Sequence, residues 1–363
     1  MNRRTPLERL GLPALAAIAG EWIAMAPRNP FRSTRYYQGP PSDHFDGRVF
    51  FNPGRRWRKS PLDLLKWQLL GRGDEPWPDA WPSPHRDVPP ARVEGEALRV
   101  SFVGHASLLV QTEGLNLLLD PVWSDRVSPV SFAGPRRVNA PGIAFDDLPP
   151  IDAVLLSHNH YDHMDVGTLR RLAGRDAPRI VTPLGNDAIL RAAGVGGRID
   201  AHDWGDAVAL NERVTVHLEE AFHWSARGVM DRLQALWAAF VIEAPGGPVY
   251  FAGDTGFAGG GHFAAVREKH GPPRLALLPI GAYEPRWFMK EQHMDPDEAV
   301  RALEACGADH AVAIHWGTFK LTDEGIERPL QALAAALDRH GVDPARFRAL
   351  LPGQAWEVPP RAA

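Results

Sequence analysis

Short apolar runs recur along most of the chain, and the first three follow one another at 97–103, 107–111 and 115–119. Gly114 begins the turn between the last two runs. Apolar runs of this length, bounded by turn residues, are typical of β-strands. The pattern therefore predicts three consecutive strands that open a folded domain.

Farther along, single apolar runs alternate with segments of helical periodicity. The predicted strands lie at 153–156, 180–182, 214–216, 238–242, 249–251, 275–278 and 311–314. The predicted helices lie at 166–172, 186–192, 296–304 and 329–339. Hairpins followed by strand–helix alternation indicate a layered α/β architecture, in which helices cover the sheets.

The region before these strands has a different character. Residues 28–92 are dense in Pro, Trp and Arg and show little periodicity of either kind. Because exposed Trp side chains are unfavourable in water, we expect an extended arm that buries them against the main body. The predicted division is an N-terminal arm at 1–95 and a catalytic domain at 96–363.

The first 25 residues begin with basic positions and continue with an apolar stretch from Leu10 to Ala19. A surface helix explains this pattern best, a helix lying on a membrane surface comes second and a cleaved secretory signal third. No apolar run reaches the roughly 18 residues needed to cross a bilayer. We therefore expect a protein of the cytoplasm or the membrane periphery, with periplasmic export as the alternative.

Composition and charge exclude some classes of function. The 363 residues are 44% hydrophobic, enough for a large core, and the net charge is −4. The charge gives no reason to expect nucleic acid as a partner. The single cysteine, Cys306, excludes an internal disulfide and a zinc site built from thiolates, and we expect a buried, inert thiol.

Candidate chemistry is concentrated directly after the predicted strand at 153–156. Three imidazoles and a carboxylate occur within six residues there, as His158, His160, Asp162 and His163. Neutral imidazoles and carboxylates are natural ligands of divalent zinc, and a position just past a strand end holds them at a sheet edge that solvent can reach. This run predicts a metal site that catalyses hydrolysis.

Three further candidates, His223, Asp254 and His315, also follow predicted strands. The order of these elements resembles that of the metallo-β-lactamase superfamily, over about residues 102–316. The resemblance implies a four-layered αββα sandwich with two zinc ions at the sheet edge, although manganese or iron could occupy the same positions. It assigns one zinc to His158, His160 and His223, the other to Asp162, His163 and His315, and the bridging position to Asp254.

Two metals that share a water lower its pKa, so a bridging hydroxide is the expected nucleophile, with Asp162 and Asp254 in the catalytic machinery. His105 could orient a ligand or serve packing alone, and Asp120 could orient a ligand imidazole. The remaining histidines are expected to be structural: His44, His85, His202, His217, His262, His270, His310 and His340.

A finer resemblance comes from the segments 119–126, 279–290, 292–296 and 315–319 together with Asn159 and Tyr161 in the metal motif. These look like N-acyl-phosphatidylethanolamine-hydrolysing phospholipase D and its bacterial relatives. The resemblance implies cleavage of a phosphodiester in a membrane phospholipid, and contact with a membrane surface. His293 is a catalytic candidate that could contact the phosphate or protonate the leaving group, and capping of the following helix is its alternative.

The candidate substrate-binding residues are Tyr283, Glu284, Arg286 and Arg227. Arg227 could pair with a phosphate, but a salt bridge with Asp231 explains it equally well. Two other functions stay open. One is a soluble lactonase or phosphoesterase of the same superfamily that acts on a small anionic substrate; the other is a non-catalytic, metal-stabilised regulatory or binding protein. The sequence does not determine the oligomeric state.

Overall fold

The computed structural model describes residues 34–55, 59, 62–63, 66–67, 75–228 and 230–361. The three alternatives for the first 25 residues therefore lie outside the described residues. Among the described residues, no helix combines the length and the apolar character needed to cross a membrane.

Fourteen strands form among the described residues. They are β1 (Leu98–Gly104), β2 (Ser107–Thr112), β3 (Leu115–Leu119), β4 (Ala153–Leu155), β5 (Arg179–Pro183), β6 (Ile199–His202), β7 (Ala207–Ala209), β8 (Thr215–Glu219), β9 (Ala239–Glu243), β10 (Val249–Phe251), β11 (Leu275–Pro279), β12 (His310–Ile314), β13 (Phe347–Arg348) and β14 (Ala355–Val358). Every strand predicted from the sequence has a counterpart, whereas β6, β7, β13 and β14 were not predicted.

Six α-helices lie within the described ranges 75–228 and 230–361. They are α1 (Val166–Arg175), α2 (Asn186–Ala192), α3 (Gly261–His270), α4 (Arg286–Met289), α5 (Pro296–Cys306) and α6 (Arg328–His340). The four predicted helices are confirmed as α1, α2, α5 and α6. Helix α5 begins with a capping box, in which Asp295 accepts from the Glu298 N–H and Glu298 accepts from the Asp295 N–H.

The strands form two seven-stranded mixed sheets. The order in the first sheet is β14-β1-β2-β3-β4-β5-β6, and in the second it is β13-β12-β11-β10-β9-β8-β7. Neighbouring positions on β4 show the layering: Val154 packs with Leu169 and Leu172 of α1, while Leu155 belongs to the core that contains residues of both sheets. Helix α5 packs against β11 and helix α3 against β9 of the second sheet, while α6 packs on α5. The expected αββα order is confirmed.

The described part of the predicted arm packs on this body. The Tyr36 hydroxyl donates to Asp231 over 2.7 Å, and the Phe50 N–H donates to the Leu233 carbonyl over 2.8 Å. Phe50 is fully buried, and the Trp67 indole donates to Asp323. These contacts fit an arm that buries its aromatic residues; the boundary at residue 95 stays a prediction.

Strand direction determines where the candidate site lies. Strands β3 to β6 run parallel in the first sheet, and β10 to β13 run parallel in the second. The carboxyl ends of parallel strands meet at one edge of a sheet. The segments after β3, β4, β10, β11 and β12 therefore leave the two sheets at the edges where the candidate ligands collect.

Candidate metal centre

The loop after β4 carries four of the predicted ligands in a tight turn. The N–H groups of His163 and Met164 both donate to the His160 carbonyl, over 3.1 and 2.8 Å. This turn lets side chains two to five residues apart point into one space. His158 and His163 are buried, and the side chain of Asp162 is 13% exposed.

Three imidazoles form the first group of candidate ligand atoms. Nδ1 of His160 lies 2.9 Å from Nε2 of His158 and 3.2 Å from Nε2 of His223. Nitrogen atoms at such distances, each with a lone pair directed inward, match three corners of a small coordination sphere.

The second group combines a carboxylate with two imidazoles. Oδ2 of Asp162 lies 3.5 Å from Nε2 of His163 and 3.2 Å from Nε2 of His315. His315 follows β12, so this group joins the two sheets across their common edge.

Asp254, which follows β10, lies between the two groups. Its Oδ2 is 3.6 Å from Nε2 of His223 on one side, and 3.3 and 3.1 Å from Nε2 of His163 and His315 on the other. Gly253 has a positive φ of 57°, and a Cβ there would lie 3.0 Å from that of Ser157. Glycine is therefore required where the two loops meet.

Hydrogen bonds on the outer side of the imidazoles determine their protonation. Asp120 accepts from Nδ1 of His163 over 2.6 Å and from the Ser157 hydroxyl over 2.5 Å. That hydroxyl in turn accepts from Nδ1 of His158 over 2.9 Å, and the Gln292 carbonyl accepts from Nδ1 of His223 over 3.1 Å. Because Nδ1 of each ring contacts an outer acceptor, Nε2 is the nitrogen that faces inward, as a metal ligand requires.

The pKa values divide the centre into two kinds of environment. Burial lowers the pKa of His158 and His160 well below the ordinary value, and that of His223 to about 4, so these rings are neutral at pH 7. Burial also acts to lower the pKa of His315, but Asp254 and Asp162 outweigh it and raise the value to about 9. The first group thus offers neutral ligands, and the second stabilises positive charge.

The donor set fits two divalent cations. Burial acts to raise the pKa of both Asp162 and Asp254, but the neighbouring imidazoles hold both pKa values well below the usual range, so both carboxylates are ionised. Nε2 of His163 and Oδ1 of Asp254 are buried and have no hydrogen-bond partner among the described residues. Buried, ionised and partly unpaired ligand atoms are what a bound cation stabilises.

Backbone strain collects at the same place. His105, Asp120 and His315 are non-glycine residues with positive φ, at 57°, 37° and 60°. Such conformations cost on the order of 1–3 kcal/mol each and persist where the surroundings enforce them. All three side chains contact the ligand groups, which supports a functional origin for the strain.

His105 also lies within ligand distance of Asp162, His163 and His315, and His293 lies within ligand distance of His223 and Asp254. Nε2 of His105 is 2.9 Å from Oδ2 of Asp162, which makes it a hydrogen-bond donor that orients this carboxylate. Nδ1 of His293 is 3.9 Å from Oδ2 of Asp254 and has no hydrogen-bond partner among the described residues. Helix α5 is capped by Asp295, so the alternative role of His293 as a cap is not observed.

The other substrate-binding candidates contact protein groups. Arg286 pairs with Asp295 and Glu298 and donates to the His293 carbonyl over 2.9 Å, and Glu284 accepts from the Arg286 N–H. Tyr283 is buried, and its hydroxyl has no hydrogen-bond partner among the described residues.

The guanidinium of Arg227 faces the loop after β4, which carries His158 to His163. It donates to the carbonyls of Asn159 and Met164, over 2.9 Å in each case, and lies 3.9 Å from the centre of the Tyr161 ring. The Asp231 carboxylate accepts from the backbone N–H of Arg227, so of the two alternatives for this side chain the salt bridge with Asp231 is not observed. Arg227 is thus placed to hold the loop in shape.

A cavity of about 360 Å³ lies beside His223. Its apolar wall consists of Phe50, Phe51, Phe222, Leu233 and Trp237, and its polar lining includes Asn52, Arg55 and Glu291. The part of the lining that comes from residues 50–55 belongs to the predicted arm. No local sequence pattern predicts this wall, because it depends on how the arm crosses the loop before His223.

Comparisons with known proteins agree with this geometry. The family model described as "Beta-lactamase superfamily domain" matches residues 115–316. An uncharacterised protein of Mycobacterium tuberculosis is 38% identical over 82% of this chain and 78% of its own length. N-acyl-phosphatidylethanolamine-hydrolyzing phospholipase D 1 of Caenorhabditis elegans is 37% identical over 73% of this chain and 77% of its own length.

Among solved structures, isothiocyanate hydrolase from Delia radicum gut bacteria superposes with a TM-score of 0.58 and 20% identity. The match covers 72% of this chain and 99% of that one, and it supports the fold alone. From the family match, the sequence relatives and the clustered ligands, the chain belongs to the metallo-β-lactamase superfamily and is a metal-dependent hydrolase of that family.

Proposed function

We propose that the protein is a phosphodiesterase of the phospholipase D type that hydrolyses N-acyl-phosphatidylethanolamine or a closely similar phospholipid, with two zinc ions as cofactors. The observation that carries the proposal is the pair of ligand groups that share Oδ2 of Asp254, next to a mainly apolar cavity. The first feature suits a phosphodiester, and the second suits a lipid.

His158, His160 and His223 would hold one cation, Asp162, His163 and His315 the other, and Asp254 would contact both. Bound there, two cations would lower the pKa of a shared water and neutralise phosphate oxygens. Imidazole and carboxylate ligands without thiolates are compatible with zinc and also with manganese or iron.

His293 would bind the substrate directly. Burial lowers its pKa well below the ordinary value, so the ring is neutral and carries one N–H and one acceptor nitrogen. It is therefore better suited to donate a hydrogen bond to a phosphate oxygen than to act as a charged acid. Arg286 holds the His293 carbonyl and fixes the ring beside Asp254.

The cavity supports an amphiphilic substrate over a small sugar lactone. Its volume falls within the range of ligand sites, roughly 300–1,000 Å³. Phe51 and Phe222 offer apolar surface to an acyl chain, while Arg55, whose guanidinium lies 5.1 Å from the Phe222 ring centre, adds a cation that attracts the phosphodiester anion. The name of the Caenorhabditis elegans relative points to the same substrate class.

A substrate panel tests the proposal. Metal-replete protein is incubated with N-acyl-phosphatidylethanolamine in mixed micelles, with a bis-aryl phosphate and with small lactones, and the products are quantified. We expect release of N-acylethanolamine and phosphatidic acid, and its loss in Asp254→Asn. Asp309→Asn, which removes a surface ion pair with Arg361 at the amino end of β12, is the matched control and should keep full activity.

The substrate panel tests the lipid substrate and the phosphodiesterase activity separately. Hydrolysis of the bis-aryl phosphate with only background release of N-acylethanolamine would reject the lipid substrate and retain the phosphodiesterase. Preferential hydrolysis of lactones would reject the phosphodiesterase in favour of a lactonase.

A further inference from the structure

A second cluster of metal-ligand side chains lies away from the candidate centre, on the face of the second sheet where α3 ends. It contains His217 on β8, Glu243 on β9 and His270 at the last position of α3. Nε2 of His217 is 3.0 Å from Oε2 of Glu243, and Nδ1 of His270 is 2.7 Å from Oε1 of the same carboxylate. One carboxylate is thus approached by two imidazoles.

The two histidines differ in their hydrogen bonding. Nε2 of His270 donates to Oε1 of Glu219 over 2.9 Å, which leaves Nδ1 to face Glu243. A carboxylate behind an imidazole is the arrangement that orients a metal-binding histidine. It is the same relation that Asp120 has to His163 at the candidate centre.

His217 supplies an independent observation. Its Nε2 is buried and has no hydrogen-bond partner among the described residues, although the Glu243 oxygen is nearby. Nε2 of His217 and Oε2 of Glu243 are therefore at hydrogen-bond distance, but the angle between them does not fit a hydrogen bond. An unpaired buried nitrogen beside a carboxylate is costly unless a cation lies between them.

The dimensions of the cluster suit a small divalent ion. Ligand atoms of a tetrahedral zinc site lie roughly 3.3 Å apart, so the 2.7 and 3.0 Å contacts need to open by only a few tenths of an ångström. The Glu243 side chain is 41% exposed, and those of His217 and His270 are 19% and 6% exposed. Solvent can therefore reach the cluster and complete the coordination.

We infer that His217, Glu243 and His270 form a third metal site, separate from the hydrolytic centre, that takes zinc or another first-row divalent ion preferring imidazole and carboxylate ligands. The site joins β8, β9 and the end of α3. Because α3 follows the segment that carries Asp254, occupancy should stabilise this side of the fold without supplying a catalytic group.

Zinc titration of the full chain tests the inference. The protein is stripped with a chelator and titrated with zinc against a chromogenic competitor, for wild type, His217→Gln and Glu243→Gln. We expect each variant to bind one zinc fewer than wild type and to lose part of the zinc-induced rise in Tm, while activity per folded chain is unchanged. His202→Gln, which removes a contact with Asp206 on the first sheet's edge, is the matched control and should bind zinc as wild type does.

Equal zinc stoichiometry in wild type and both variants would overturn the third site. The result does not depend on the substrate, because the count is measured without turnover. If His217→Gln fails to fold, Glu243→Gln decides the matter, since its side chain is the most exposed of the three.

Discussion

Replacing Asp120 with asparagine should weaken metal binding at both ligand groups, although Asp120 belongs to neither. Its carboxylate is fully buried and accepts three hydrogen bonds. They come from the Ser157 N–H over 2.7 Å, the Ser157 hydroxyl over 2.5 Å and Nδ1 of His163 over 2.6 Å. An asparagine of the same shape can accept at only one of its two terminal atoms.

Either orientation of the amide disturbs the centre. If the amide nitrogen faces His163, that ring must move its proton to Nε2, the atom that faces Asp254. The Ser157 hydroxyl must then donate to Nδ1 of His158, which shifts the proton of that ring to Nε2 as well. If the nitrogen instead faces the Ser157 N–H, a buried donor loses its partner.

The magnitude follows from these losses. A substitution behind a metal ligand lowers metal affinity about 10- to 100-fold. A buried donor left without a partner costs about 1–3 kcal/mol of stability. We therefore expect Asp120→Asn to show both a weaker zinc affinity in competition with a chromogenic chelator and a lower free energy of unfolding by urea in EDTA.

Asp87→Asn separates the two effects. Asp87 is also buried and pairs with Arg99 over 2.6 Å, away from the ligands. This control should lose stability and keep wild-type zinc affinity. Zinc affinity within twofold of wild type in Asp120→Asn would refute the reasoning that hydrogen bonds to Asp120 set the ligand protonation.

Three further predictions rest on other parts of the structure. Burial raises the pKa of the Cys306 thiol to about 11, so a thiol reagent should label no cysteine in the native protein and one per chain in urea. Hydrogen bonds that His270 donates to Glu219 and Glu243 outweigh burial and raise the pKa of His270, with His217 and Lys269 as the other facing groups. A histidine whose pKa is higher in the folded than in the unfolded state stabilises the fold below the unfolded-state pKa, and this stabilisation is lost as pH rises. In EDTA, His270→Gln should therefore lower the free energy of unfolding more at about pH 5.5 than at about pH 8.5. An equal decrease at both pH values would contradict this. Arg55→Gln should raise KM roughly two- to fivefold for both the lipid and the bis-aryl phosphate, because each carries one phosphodiester anion, whereas Arg86→Gln, an exposed arm residue paired with Asp147, should change neither KM.

Local patterns predicted the elements that bury a complete apolar face. The runs that became β4 and β10 are short and continuous, and α1, α5 and α6 have clear helical spacing. Helix α3 was missed because it begins in a run of three glycines, Gly259 to Gly261, and buries few residues. Strand β14 was missed because its pairing of Val358 with Leu98 joins distant parts of the chain.

The candidate centre could also be predicted from local patterns. Its ligands follow strands, and the resemblance of their order to that of the superfamily predicted their meeting at one edge. Local patterns did not predict the cavity wall from residues 50–55 or the cluster of His217, Glu243 and His270. Each arises from contacts between segments far apart in sequence, and the two histidines had been expected to be structural.

The position of bond cleavage in labelled water tests the central claim most directly. Metal-replete protein is incubated with N-acyl-phosphatidylethanolamine in water enriched in heavy oxygen, and both products are analysed by mass spectrometry. Attack at phosphorus predicts that one heavy oxygen enters phosphatidic acid and none enters the N-acylethanolamine, with no product from Asp254→Asn. Heavy oxygen in the N-acylethanolamine, or undiminished turnover by Asp254→Asn, would contradict hydrolysis at this centre.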